Sequence, residues 1–150
     1  MTRFKKAERA FQKKLYKQAL KNLELVLKKN EKHGESVALK GAVMGRTAET
    51  DDQKQEALDL CKRGVQLDLS CKNSWLHLAR MYKAAQRYED AIKSFKMALR
   101  LAKMQPEKNE LRRELTHMLA QTRNWQELAD TRRQLQLDNR EMIIHWIGYR

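Results

Sequence analysis

Proline occurs once in this 150-residue chain and glycine five times, while 41% of the residues are hydrophobic. That balance excludes a disordered low-complexity chain and favours helices. Long apolar runs are missing too: no stretch approaches the roughly 18 residues that a membrane-spanning helix requires. The residues after Met1 are basic and amphipathic, unlike the apolar core of a secretion signal, so the expectation is a soluble, cytoplasmic chain with no membrane partner. The two cysteines, Cys61 and Cys71, do not amount to a disulfide framework. His33, His77, His117 and His145 show neither His-x-x-x-His nor paired-cysteine spacing, and no metal site is expected.

Acidic side chains are scarce relative to basic ones, 19 against 32, which leaves a net charge of +13. The imbalance is concentrated: residues 1–33 hold 11 Lys or Arg against 3 acids. An excess of that size implies attraction to a polyanion, either nucleic acid or an acidic protein surface. A solvated basic face with no partner is the plainer alternative.

Glycine-rich phosphate loops are also lacking. The nearest lookalike, Gly41-Ala-Val-Met-Gly45-Arg46-Thr47, has three residues between its glycines where four are required, carries Arg46 in place of Lys, and lies within a helical pattern. No acetyl-coenzyme A loop of the Arg/Gln-x-x-Gly-x-Gly/Ala kind follows a strand pattern. Neither cysteine has an identifiable base beside it. The sequence therefore predicts no enzyme, no cofactor and no small-molecule substrate.

What is present is helical periodicity. In WLHLARMYKAAQRYEDAIKSFKMA, residues 75–98, Trp75, Leu78, Ala79 and Tyr82 recur at helical spacing, Tyr88 marks a turn, and Ala91, Phe95 and Ala98 begin a second row. These seven are the expected repeat core. Bulky and small residues at such offsets characterise helical hairpins of the tetratricopeptide type, whose repeat is about 34 residues. Ala79 and Ala91 allow two helices to approach closely while Trp75, Tyr82 and Phe95 fill the space around the contact. The aromatics are therefore read as core rather than as a base-stacking platform. One hairpin cannot bury its apolar face alone, so neighbours of the same kind are expected. Positions equivalent to Ala91 are Ala19, Ala57 and Leu128, at intervals of 38, 34 and 37 residues. Arg132, four residues after Leu128, fits the pattern poorly.

Along the chain, Phe4, Ala7, Phe11 and Leu15 form one stripe, with Lys5, Arg9 and Lys13 opposite. Ala19, Leu20, Leu23, Val26 and Leu27 line the inside of the next helix, with Lys17, Lys21 and Lys28 outside and Lys29 near its end. Together with Lys6 and Lys14, these nine cations are the candidate RNA-docking residues, contacting phosphates without reading bases. Gly34 reads as a helix stop, Ser36 as a cap and Gly41 as a small contact residue. Residues 49–53, ETDDQ, read as a polar insertion, followed by a helix over 57–69 with Leu58, Cys61, Val65 and Leu69 inside. Pro106 reads as the stop of a helix extended through Leu101 and Met104. Leu111, Leu115, Met118 and Leu119 belong to the following helix. Trp125 then stands where Tyr16 and Tyr88 stand. Trp146 falls in the phase of Trp75. The predicted architecture is an all-α, tetratricopeptide-type helical-hairpin solenoid, a right-handed superhelix. Its approximate repeats are 1–33, 34–71, 72–108 and 109–142, with a truncated fifth from 143. Ending inside a repeat is what a fragment, a short isoform or a truncated copy would show.

Several stretches, EKHGESVALKG at 31–41, CKRGVQLDLSCKNSW at 61–75, YEDAIKSFKMAL at 88–99, and the terminal TRRQLQLDN with HWIGY, resemble the amino-terminal repeats of the large auxiliary subunit of the N-terminal acetyltransferase A complex. That resemblance implies a non-catalytic scaffold whose full-length relatives wrap a separate catalytic acetyltransferase subunit and bring it to the ribosome for co-translational N-terminal acetylation. It further implies that later repeats form most of the clasp and that basic surfaces including the amino-terminal part meet the ribosome. Two other readings stand beside it: a peptide-binding adaptor using an inner groove, and a truncated copy lacking the full scaffold function.

Overall fold

The computed structural model describes the backbone of residues 1–148 and the side chains of residues 1–140. Among the described residues the chain is all helix. The elements are α1 (Arg3–Gln12), α2 (Tyr16–Lys29), α3 (Gly34–Thr47), α4 (Asp51–Leu67), α5 (Lys72–Ala84), α6 (Tyr88–Leu101), α7 (Gln105–Gln121) and α8 (Trp125–Gly148). Each odd-numbered helix pairs with the even-numbered one after it, and α2, α4 and α6 each pack on the following odd helix, so the hairpins stack in chain order. α1 also reaches α3, and α3 reaches α5, which puts the odd-numbered helices in one layer.

The turns inside three hairpins share one geometry. Lys14, Gln86 and Arg123 adopt φ of 62°, 60° and 58°. The next residue in each turn donates its N–H back across it: Leu15 to Ala10 at 2.8 Å, Arg87 to Tyr82 at 2.9 Å and Asn124 to Leu119 at 3.0 Å. This is a Schellman closure, which ends a helix by satisfying its last carbonyls and needs a left-handed residue. Tyr16, Tyr88 and Trp125 then start the second helices, the equivalence that the sequence shows.

The second hairpin closes differently. Thr50 accepts from the Gln53 N–H at 3.2 Å, while the Gln53 side chain accepts from the Thr50 N–H. That reciprocal capping box starts α4 at Asp51. The ETDDQ stretch is thus the cap and first turn of α4, a correction to its reading as an insertion. Its acids sit at the positive end of the helix dipole. Three other boundaries also differ from the sequence expectation. The cap of α3 is His33, whose ring nitrogen accepts from the Ser36 N–H, and Gly34 is the first helical residue. Pro106 lies in the first turn of α7, where its missing N–H removes no helical bond; α6 has already ended at Leu101. Residues 105–108 accordingly belong to α7. Finally, α8 runs as one helix past residue 143, where the sequence reading starts another repeat. The side chain of Trp146, which carried that reading, lies outside the described residues.

α3 and α4 approach most closely because glycine makes room. A Cβ on Gly64 would stand 2.4 Å from the Ala38 backbone nitrogen, and one on Gly41 would stand 2.8 Å from both the Ala57 carbonyl oxygen and the Cys61 nitrogen. Around these contacts Ala38, Leu58, Cys61 and Val65 join Leu78, Ala79, Tyr82, Ala91, Phe95, Ala98 and Leu128 in one core, while Ala7, Ala10, Ala19, Leu23, Leu39 and Val43 close the first hairpin onto α3. Trp75 is half-buried against the first cluster and donates its indole N–H to the Leu69 carbonyl at 2.9 Å. Leu69, expected inside, is 61% exposed, because α4 stops at Leu67 and Leu69 falls in the connection. Ion pairs fix the third hairpin to the fourth, Lys72 with Glu107, Arg80 with Glu114 and Lys96 with Glu127, while Arg112 with Asp138 ties the two helices of the fourth together.

Candidate docking surfaces

Burying Ala7 and Ala10 on one side of α1, and Ala19 and Leu23 on one side of α2, turns the opposite sides of both helices to solvent. Lys5, Lys6, Arg9, Lys13, Lys14, Lys17, Lys21, Lys28 and Lys29 are all exposed. Among the described residues, Lys5 is the one of these nine with a carboxylate in ion-pair range, Glu8 at 3.2 Å. The others have no carboxylate in that range among the described residues, and their fields add over the first hairpin. Elsewhere basic side chains more often have partners, as the three ion pairs between the third and fourth hairpins and the Arg112–Asp138 pair within the fourth show.

On the odd-helix side, α1, α3 and α5 bound a groove of ≈ 220 Å³ lined by Glu8, Phe11, Gln12, Leu39, Asn73, Leu76, His77 and Arg80. The ring of Phe11 meets His77 edge-on, with centroids 5.8 Å apart, and the Arg46 guanidinium lies 5.8 Å above the Phe11 ring. Burial, and then the neighbouring Arg80 and Arg46 charges, push the His77 imidazole down to about pKa 4, so it is neutral at physiological pH. The Asn73 side-chain amide donates to Glu35 Oε1 at 3.0 Å. The sequence pattern places Phe11 in a core stripe and gives His77 no metal-site spacing. Their meeting across 66 positions follows from the α1–α3–α5 layer and has no local signal.

Two further sequence candidates can be placed. Burial pushes the Cys61 thiol up to about 12 and the Sγ–H faces the Ala38 carbonyl oxygen at 3.3 Å, so no thiolate nucleophile forms there at neutral pH. The glycine pair Gly41 and Gly45 lies inside α3, where backbone N–H groups are directed along the helix rather than into a phosphate cradle. Among the described residues no cluster of His, Cys, Asp and Glu could hold a metal ion, and no helix is long and apolar enough to cross a membrane.

The tetratricopeptide repeat family model matches residues 74–110. The N-terminal acetyltransferase A complex auxiliary subunit NAA15 of Arabidopsis thaliana is 33% identical over 146 residues, which is 97% of this chain and 16% of that protein. N-alpha-acetyltransferase 16, NatA auxiliary subunit, of Homo sapiens is 28% identical over 148 residues, again 97% of this chain and 16% of the relative. A solved structure of Naa15/Naa10 bound to HypK-THB superposes with a TM-score of 0.80 at 28% identity, covering 93% of this chain and 20% of that chain. The chain thus spans about one sixth of the length of the curated relatives that it matches. It is an all-helical, tetratricopeptide-type stack whose sequence is related, along nearly its whole length, to the auxiliary subunits of N-terminal acetyltransferase A complexes.

Proposed function

We propose that the chain is a non-catalytic scaffold segment of the N-terminal acetyltransferase A auxiliary-subunit type, whose α1–α2 cationic face docks on the ribosome during co-translational N-terminal acetylation in the cytoplasm. Catalysis resides in a separate acetyltransferase subunit. The observation that carries the docking role is the first hairpin itself: among the described residues eight of its nine candidate cations have no carboxylate in ion-pair range, and all nine are exposed. Relatedness to auxiliary subunits supports the scaffold role. A surface of this kind meets ribosomal RNA through phosphates and recognises duplex shape rather than base sequence.

The test is co-sedimentation with purified ribosomes at fixed ionic strength, comparing the unaltered chain with one in which Lys5, Arg9, Lys13, Lys17, Lys21 and Lys28 are replaced by Glu. The expected outcome is loss of the ribosome-bound fraction with an unchanged helical circular-dichroism spectrum. Equal sedimentation of the two chains rejects the docking role of these residues.

A further inference from the structure

The tip of the first hairpin differs from the two turns that share its backbone geometry. Where those turns carry Arg87 and Asn124, the first hairpin carries Leu15. Leu15, expected on the core stripe of α1, is instead the N-cap residue of α2; its side chain caps no helix N–H, and it is 44% exposed. Ser, Thr, Asp or Asn is the usual residue at such a position, so the fold itself does not call for leucine there. With Tyr16, Lys17 and Gln18, Leu15 lines an open hollow of ≈ 240 Å³. That is below the roughly 300–1,000 Å³ typical of small-molecule sites and suits one planar ring rather than a whole cofactor. Tyr16 is half-buried, its ring tilted against Phe11 with centroids 6.2 Å apart. Charge separates the turns as well: the first turn of α2 holds no acid, whereas that of α6 holds Glu89 and Asp90 and that of α8 holds Glu127. Lys17 lines the hollow and Lys13 and Lys14 precede it in the turn, all three exposed and with no carboxylate in ion-pair range among the described residues.

We propose that this hollow seats one unpaired nucleotide of a structured RNA, with its base against Leu15 and Tyr16 and its flanking phosphates at Lys14 and Lys17. The proposal rests on the reading that the first hairpin docks on RNA, and adds one base contact to a surface otherwise held by phosphates. A base released from its helix has an apolar face to bury, and every base has such a face, so the seat is tolerant of sequence. Charge complementarity selects the occupant. Lys17, Lys21 and Lys28 continue from the hollow along about 16 Å of α2, a run that suits the unbroken charge of a phosphate backbone. A short acidic peptide would match the hollow without matching that run, and a neutral ligand would leave the lysines unmatched.

The experiment uses the 150-residue chain and three RNA hairpins that share one stem: a perfect duplex, a stem with a single adenosine bulge, and a stem whose bulged nucleotide is abasic. The last two carry the same phosphates and differ only in the base. Binding is read by fluorescence anisotropy at fixed salt, and contact by the Leu15 methyl resonances. The expected result is that the adenosine bulge binds about tenfold more tightly than the abasic one, a difference of roughly 1.4 kcal/mol. Its ring current also shifts the Leu15 methyls upfield, and the abasic bulge does not. Leu15→Ser supplies a helix cap and so keeps the turn folded; it removes the tenfold difference and leaves the affinity of the abasic stem where it was. Lys14→Gln combined with Lys17→Gln weakens binding of all three RNAs. Equal affinity for the two bulges, unmoved Leu15 methyls, or a tenfold difference that survives Leu15→Ser would each overturn the base seat, and duplex binding that persists in those cases leaves the docking role standing. Absence of binding to all three RNAs overturns both readings. An octapeptide of Leu and Glu that moves the Leu15 methyls where the adenosine bulge does not assigns the hollow to an acidic protein segment and overturns the RNA proposal.

Discussion

Two glycines in the same helical pair should respond to alanine with opposite signs. Gly64 in α4 and Gly45 in α3 each gain helix propensity on becoming alanine, worth about 0.8–1 kcal/mol in a helix interior. What a new methyl meets differs. At Gly64 it would stand 2.4 Å from the Ala38 nitrogen and 2.7 Å from its Cα, both backbone atoms of a helix packed on both sides. Ordinary carbon contacts begin near 3.5 Å, so α3 and α4 must separate by about 1 Å at the point where Gly41 and Gly34 also rely on close approach. Overpacking costs about 1–3 kcal/mol and sometimes more. Since the strain here falls on backbone, the upper end applies and the net loss after the propensity gain is about 2 kcal/mol. At Gly45 the nearest atom is Cε of Met81 at 3.0 Å, the far end of a flexible side chain, and the next is at 3.8 Å. Met81 can turn aside, so Gly45→Ala should be neutral or stabilising by up to about 1 kcal/mol. Urea unfolding followed by circular dichroism at 222 nm gives both values from the shift in midpoint at constant slope. If Gly64→Ala is as stable as the parent chain, or Gly45→Ala loses more than Gly64→Ala, the close α3–α4 contact is not what glycine is there for.

The three left-handed turn residues offer a stabilising test: Lys14→Gly, Gln86→Gly and Arg123→Gly should each leave the fold unchanged and raise stability by a few tenths to about 1 kcal/mol, because glycine adopts φ near 60° without a Cβ clash; a fall in urea midpoint in all three contradicts the turn geometry. Arg112 pairs with Asp138, which is 6% exposed and also accepts from Gln134. Arg112→Leu leaves that carboxylate buried without its cation and should destabilise by about 3 kcal/mol, whereas the Arg112→Leu/Asp138→Leu double variant should recover most of the loss, so a double variant no better than the single one refutes the pairing. For His77, the folded-state value of about 4 lies below the ordinary 6.5, so the unfolded chain binds the proton more readily between those values. The His77 contribution is complete above pH 6.5 and is lost as the pH falls towards 4, by no more than about 3 kcal/mol; thermal melts of the parent and His77→Phe chains at pH 7 and pH 4.5 should show a smaller acid loss in the variant, and an equal loss in both contradicts the assignment.

The periodic part of the fold was legible because the tetratricopeptide pattern is a packing code. Ala79, Ala91 and Phe95 are small or bulky at the offsets where two helices touch or diverge, and all three are buried. Boundaries were harder, since identical residues serve opposite local roles. Pro106 can end one helix or begin the next, and the choice depends on whether Ala102 is helical; it is extended, with φ −69° and ψ 135°. In ETDDQ the acids suggested a loop, although Thr50 and Gln53 at positions i and i+3 carry a capping-box spacing that could have been recognised. His33 as a cap had no such signal, because histidine caps seldom. The groove could not be read at all: Phe11, Arg46 and His77 come from three hairpins, and their proximity exists only once the odd-numbered helices share a layer.

The cationic-face docking role is tested most directly by the salt dependence of ribosome affinity. Each phosphate contact contributes a slope of about −0.7 to −0.9 in log affinity against log salt concentration. With several of the nine exposed cations engaged, the parent chain should show a slope of about −4 or steeper. Replacing Lys5, Arg9, Lys13, Lys17, Lys21 and Lys28 by Gln should flatten it by several units, while replacing the exposed Arg63, Lys93 and Arg113 on later hairpins should leave it unchanged. A slope that is shallow in the parent chain, or that responds equally to both sets, would contradict docking through the first hairpin.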